Sequence, residues 1–214
     1  MSASWILEIR RRLAASSPSG GEIAVGNGGG AATEDRRPAA SEGPRGAALV
    51  PLYVDAGELW TLLTTRAAPA GRVAPMAFPG AVVAPEEEVW PAALRGVHDE
   101  AGVASEVVLD LGRLDPVTTP AGLTIVPCVG AVPTPAVDKR SPPQPGAAVV
   151  EVVPLPLSAL AAPQLVEAQP VEIDGTAAEL AVYHVGRHRI WGVTARICGD
   201  LLARLGLGGP MTGG

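Results

Sequence analysis

Apolar positions follow two rhythms along this 214-residue chain, and the places where neither holds divide it into segments. Trp5, Ile6, Ile9 and Leu13 recur at helical spacing with arginines between them, which predicts a short amphipathic helix over residues 4–14. The rhythm then stops. Residues 16–46 are rich in Gly, Ser, Ala, Pro and charge. Such a stretch buries too little apolar surface to offset its ordering entropy and is expected to be a flexible linker.

From Ala47 onward strands are predicted. Residues 47–53 and 59–65 are apolar runs separated by Asp55, Ala56 and Gly57, the signature of a hairpin with a short loop. Residues 66–76 read as loop, and 81–83 as a short strand. Residues 89–101 carry the clearest helical pattern. Val89, Ala93, Leu94, Val97 and Ala101 share a face, Pro91 sits in the first turn, and Gly102 follows as a stop. Glu86, Glu87 and Glu88 stand where the helix dipole favours negative charge. Further strands are expected at 106–113, 123–132 and 149–153, then a turn or short helix at 155–161. A strand or two near Val171 and Val182 precede a closing helix over 190–205. Strands mixed with a central and a terminal helix define an α/β or α+β class. The predicted organisation is a helix at 1–15, a linker at 16–46, one domain at 47–207 and a disordered tail at 208–214.

Composition sharpens this picture. Apolar residues make up 47% of the chain but aromatic ones only 3%, so Val, Leu, Ile and Ala must fill the core. The net charge of -6 leaves no basic footprint for nucleic acid or an anionic membrane. Cys128 and Cys198 are far apart in apolar surroundings, without metal-ligand spacing, and read as buried thiols in a reducing compartment. The amino-terminal residues lack an uninterrupted apolar core, and no run of 18 apolar residues occurs, so neither a secretory signal nor a membrane span is expected. A soluble, cytoplasmic protein is predicted, with a homodimer left open.

The chemistry concentrates in residues 78–103, FPGAVVAPEEEVWPAALRGVHDEAGV. A loop, a short strand and a carboxylate-bearing helix can cradle Mg²⁺, which takes a few carboxylates together with water and substrate phosphates. The segment resembles the Nudix box, G-x5-E-x7-R-E-U-x-E-E-x-G-U with U aliphatic. Glu87 matches the first glutamate, Arg95 the arginine and Val97 the aliphatic position. Asp99 and Glu100 stand at the paired glutamates, and Gly102 and Val103 close the motif. Ala81 replaces the opening glycine, and Gly96 replaces the glutamate after the arginine. Residues 96 and 100 share a helix face, and in this family that carboxylate pair is the core of the metal site. Gly96 removes half of it. A glycine there also costs roughly 0.5–1 kcal/mol against alanine, so no local stability is expected in return. The resemblance makes Glu87 and Arg95 a structural ion pair bracing loop against helix.

The likeness continues past the box and is similar to the coenzyme A diphosphatase-like branch. It includes ALVPL at 48–52, LLTTR at 62–66, AFPG at 77–80, LGRLD at 111–115, TPAG at 119–122, Val126–Pro127, Pro156–Leu157 and HRIWGVTAR at 188–196. This implies a Nudix fold, a mixed β-sheet sandwiched between helices. The branch usually has a basic, His- and Gly-containing stretch before Phe78, where this chain has residues 70–76 with Arg72 the one cation. It also tends to carry a glutamate before the strand at Val149, where Ala147 and Ala148 stand.

Two functions remain open on these grounds. As an enzyme, the chain would hydrolyse a pyrophosphate linkage in a nucleoside diphosphate derivative such as coenzyme A. Mg²⁺ or Mn²⁺ would be held by the catalytic pair Glu100 and Asp99, with affinity weakened by Gly96. Arg66 or Arg72 would bind substrate, since a guanidinium grips phosphate bidentately, although Arg66 is equally readable as a surface salt bridge. As a non-catalytic binding module, the same scaffold would persist with a decayed site, and the amino-terminal helix and linker could dock a partner. His98 is expected at the surface or in packing, His184 and His188 in structural roles, and Trp191 as the packing anchor of the last helix.

Overall fold

The computed structural model of the chain describes residues 4–15, 45–66, 76–119, 121–134, 149–162, 166–173 and 176–207. Helix α1 (Ser4–Ala15) is followed by β1 (Arg45–Asp55), β2 (Glu58–Arg66), β3 (Met76–Ala77), β4 (Gly80–Val82) and α2 (Val89–Ala101). A 3₁₀ turn (Ser105–Val107) then leads to β5 (Leu109–Arg113), β6 (Val117–Thr118), β7 (Thr124–Ala131), β8 (Val149–Pro156) and α3 (Leu157–Ala161). Strands β9 (Val166–Ile173), β10 (Thr176–Val185) and β11 (His188–Ile190) precede α4 (Gly192–Leu205).

The main sheet runs β3-β2-β1-β7-β5, with β4 on β1, β6 on β7 and β8 on β2. It is mixed, because β1 runs parallel to β7 from Arg45↔Thr124 to Leu52↔Ala131 while β2 and β4 pair with β1 antiparallel. Ala56 and Gly57 close the β1–β2 hairpin, both with positive φ (48° and 84°), as a twisted two-residue turn requires. A second sheet, β11-β10-β9, is antiparallel.

Alternation along the strands sorts side chains to two apolar clusters. Ala48, Val50, Leu52 and Leu63 face one with Leu157, Leu160, Ile197, Leu201 and Leu202. Ala47, Leu49, Tyr53 and Leu62 face the other with Ala92, Ala93, Val97 and Ala101 of α2. The sheet therefore lies between α2 on one side and α3 and α4 on the other.

Helix α1 belongs to the first cluster. Ile9 and Leu13 are buried there, Arg10 Nε donates to the Asp110 carbonyl at 2.9 Å, and Arg12 donates to the carbonyl of Leu205. A guanidinium at that helix end complements the negative pole of α4. The apolar stripe of α1, with Ile9 and Leu13 at its centre, is thus covered by the domain itself. On α4, the Arg204 side chain is only 7% exposed and bridges Asp115 and Asp200, each at 2.7 Å.

Strand β1 starts at Arg45, so residues 45 and 46, expected in the linker, belong to the sheet. The last helix starts at Gly192 and not at Ile190, because Ile190 pairs with Tyr183 as part of β11. The linker expected over 16–44 and the disordered tail expected over 208–214 fall outside the described residues, as does Arg72.

Candidate active site

Helix α2 carries the site and is placed by its two ends. Glu88 is the N-cap in extended conformation, and Gly102 ends the helix with φ 66°, its N–H donating to the His98 carbonyl. Upstream, Glu86 adopts φ 63°, and this turn brings Glu87 back on Ala84. The Ala84 N–H donates to Glu87 Oε2 at 2.8 Å. Arg95 donates through Nη2 to the same oxygen at 2.9 Å and to the Val82 carbonyl at 3.0 Å. One guanidinium therefore joins strand β4, the loop and the helix. The Arg95 hydrogen bond, and after it the Ala84 N–H, hold the Glu87 carboxyl below its ordinary pKa. The same pair raises that of Arg95.

The inward face of α2 presents Gly96 and Glu100, both buried. Gly96 lies against β4. A Cβ there would stand 2.5 Å from the Gly80 carbonyl carbon and 2.9 Å from the Ala81 nitrogen. Gly80 in turn faces β1, where a Cβ would stand 3.1 Å from the Ala48 Cα. Three backbones are stacked with nothing between them. Gly96, expected to give nothing in return for its helix cost, does have a structural role: glycine is what lets α2 close on β4.

Glu100 has a side chain only 12% exposed. Its Oε2 accepts from the Thr64 hydroxyl at 3.1 Å, and its Oε1 is paired with Arg66 Nη2. Thr64 escaped attention in the sequence. It and Arg66 lie two residues apart on one face of β2, and a hydroxyl at an inward strand position was the available signal. Asp99, next to Glu100, is half-exposed and instead lies 3.2 Å from His98 Nδ1 through its Oδ1. The structure thus brings together Arg66, Thr64 and Glu100, and separately Glu87 and Arg95, while Asp99 sits outside both groups. His184 meets Glu167 at 3.0 Å at the surface. Trp191 is not the anchor expected of it. It is 52% exposed at the start of α4, and that end is fixed by Thr194, whose hydroxyl donates to the Met76 carbonyl at 2.9 Å.

Among the described residues, no group of three or more His, Cys, Asp or Glu side chains is gathered to hold a metal ion. Mg²⁺ asks for less than that, because it keeps several waters and is commonly held by one or two carboxylates with substrate phosphates. Of the two carboxylates expected to hold it, Glu100 alone faces the interior, and Asp99 does not join it.

No protein-family model matches the chain. It is 32% identical over 145 residues to a Photorhabdus laumondii protein named uncharacterized Nudix hydrolase NudL, across 65% of this chain and 74% of that one. A protein of the same name from Enterobacter sp. strain 638 is 33% identical over 135 residues, 62% of this chain and 67% of its own length. A MutT/nudix family protein from Enterococcus faecalis has a similar structure, with TM-score 0.50 at 18% identity, over 80% of this chain and 65% of that one. That last likeness concerns the fold alone. No described helix is long and apolar enough to cross a membrane.

Proposed function

Since the chain belongs to the Nudix hydrolase family, we propose that it cleaves the pyrophosphate linkage of a nucleoside diphosphate derivative of the coenzyme A kind, with Mg²⁺ or Mn²⁺ as cofactor and a weakened rate. The observation carrying this reading is Glu100 on the inward face of α2, beside Arg66, in a box braced by Glu87 and Arg95. Glu100 would hold the cation, a role that Asp99 shares on sequence grounds alone. Bound there, it supplies positive charge to the phosphates and lowers the pKa of the attacking water. Arg66 and Arg72 are assigned to a phosphate oxygen on sequence grounds, since a guanidinium grips phosphate bidentately. Glu87, held by the Ala84 N–H and Arg95, keeps the loop against the helix. The weakening follows from position 96, where a carboxylate is missing and Gly80 leaves no space for one.

The closure of α2 on β4 also favours a second reading, a Nudix-fold module that binds its ligand without turnover. One experiment separates the two. Coenzyme A, ADP-ribose and dinucleoside polyphosphates are incubated with the chain and Mg²⁺ or Mn²⁺, and products are separated by chromatography. Turnover that disappears in Glu100→Gln establishes the enzyme. Absence of turnover on every substrate and metal leaves the binding module.

A further inference from the structure

We infer that Arg66 is an internal counter-ion of Glu100 which a divalent cation has to displace, an inference that rests on the reading of Glu100 as the cation's ligand. Both oxygens of Glu100 already have partners, Thr64 on Oε2 and Arg66 on Oε1. The carboxylate is largely shielded from water, and a buried charge requires such a partner. A second carboxylate one turn back on the helix would leave net negative charge for a dication. Gly96 stands there, with the Gly80 backbone against it. The guanidinium therefore cancels the charge of Glu100, and an arriving cation competes with a resident one.

Arg66 is also built to leave. Its side chain is 46% exposed, and it lies at the end of β2 next to a register shift between Thr65 and Arg66. A guanidinium pairs with a carboxylate or a phosphate by the same bidentate geometry. Released from Glu100, Arg66 is free to take a phosphate oxygen, so one side chain links occupation of the cation site to capture of the anion. By reciprocity, a phosphate that draws Arg66 away strengthens the cation site by the same factor.

The test measures Mn²⁺ binding to the full chain by electron paramagnetic resonance of the free ion, with no substrate present. Arg66→Gln is expected to bind Mn²⁺ about tenfold more tightly than the unmodified chain, because one competing charge is gone. Arg66→Lys should stay within about twofold, since it keeps the charge. Glu100→Gln should abolish the gain in the Arg66→Gln background. Equal or weaker binding by folded Arg66→Gln overturns the inference. Should that variant not fold, the unmodified chain decides: the Arg66 guanidinium resonance, assigned by its loss in Arg66→Lys, must shift on adding millimolar Mg²⁺, and a resonance that stays in place overturns it. Hydrolysis of coenzyme A, ADP-ribose and dinucleoside polyphosphates by the unmodified chain keeps the two proposals apart. Tighter Mn²⁺ binding without hydrolysis removes the hydrolase reading alone, and hydrolysis without tightening removes the counter-ion alone.

Discussion

Gly96 of helix α2 and Gly80 of strand β4 meet backbone to backbone, closely enough that a Cβ on Gly96 would stand 2.5 Å from the Gly80 carbonyl carbon. Helix propensity and packing therefore oppose each other at this position. Alanine in place of a helical glycine gains roughly 0.5–1 kcal/mol from the backbone, whereas overfilling a close-packed contact costs about 1–3 kcal/mol. Backbone atoms cannot rotate aside, so packing wins. Gly96→Ala is expected to lower stability by about 1–2 kcal/mol in chemical denaturation. Gly96→Glu should lower it further and should not raise turnover. A more stable Gly96→Ala protein would show that α2 stands further from β4.

The Glu87–Arg95 pair predicts a pH dependence. The Arg95 hydrogen bond holds the folded-state pKa of Glu87 below the ordinary carboxylate range, so its contribution is present above the unfolded pKa and lost as pH falls through the folded one. The melting temperature of Glu87→Gln should fall below that of the unmodified chain at pH 7. The gap should close below the ordinary carboxylate range. A gap that is constant between pH 7 and pH 3 argues against the ion pair as its source.

Leu13 tests whether α1 is part of the domain. It is buried and lies 3.6 Å from the Cβ position of Gly112. Leu13→Ala is expected to cost about 2–4 kcal/mol in a single cooperative transition. A loss under about 0.5 kcal/mol, the surface value, would mean that α1 packs only loosely.

The two thiols should be inert in the folded protein. Burial pushes Cys128 up to about 11 and Cys198 up to about 12, and the thiolate is the reactive form. Native protein at pH 8 should react negligibly with a thiol-specific disulfide reagent, and denatured protein should release two equivalents, matching its two cysteines. Rapid labelling of the native chain would contradict the burial of both.

Much of this architecture is written in local sequence. The boundaries of α2 and the β1–β2 hairpin follow from apolar spacing and turn residues, which depend on neighbours a few positions apart. The Glu87–Arg95 brace was legible too, through the box motif that carries it. Composition also told that a core poor in aromatics would be aliphatic. Local spacing stops short where contacts join distant parts of the chain. It could not show that Arg66 and Glu100, 34 residues apart, neutralise each other, nor that the α1 face is covered by the domain. It misjudged Gly96, because the residue opposite it, Gly80, belongs to another element and only the crossing of α2 over β4 brings their backbones together. Side-chain identity and periodicity settle which elements form. The separation between packed elements settles which charges meet and which positions have no room for a side chain.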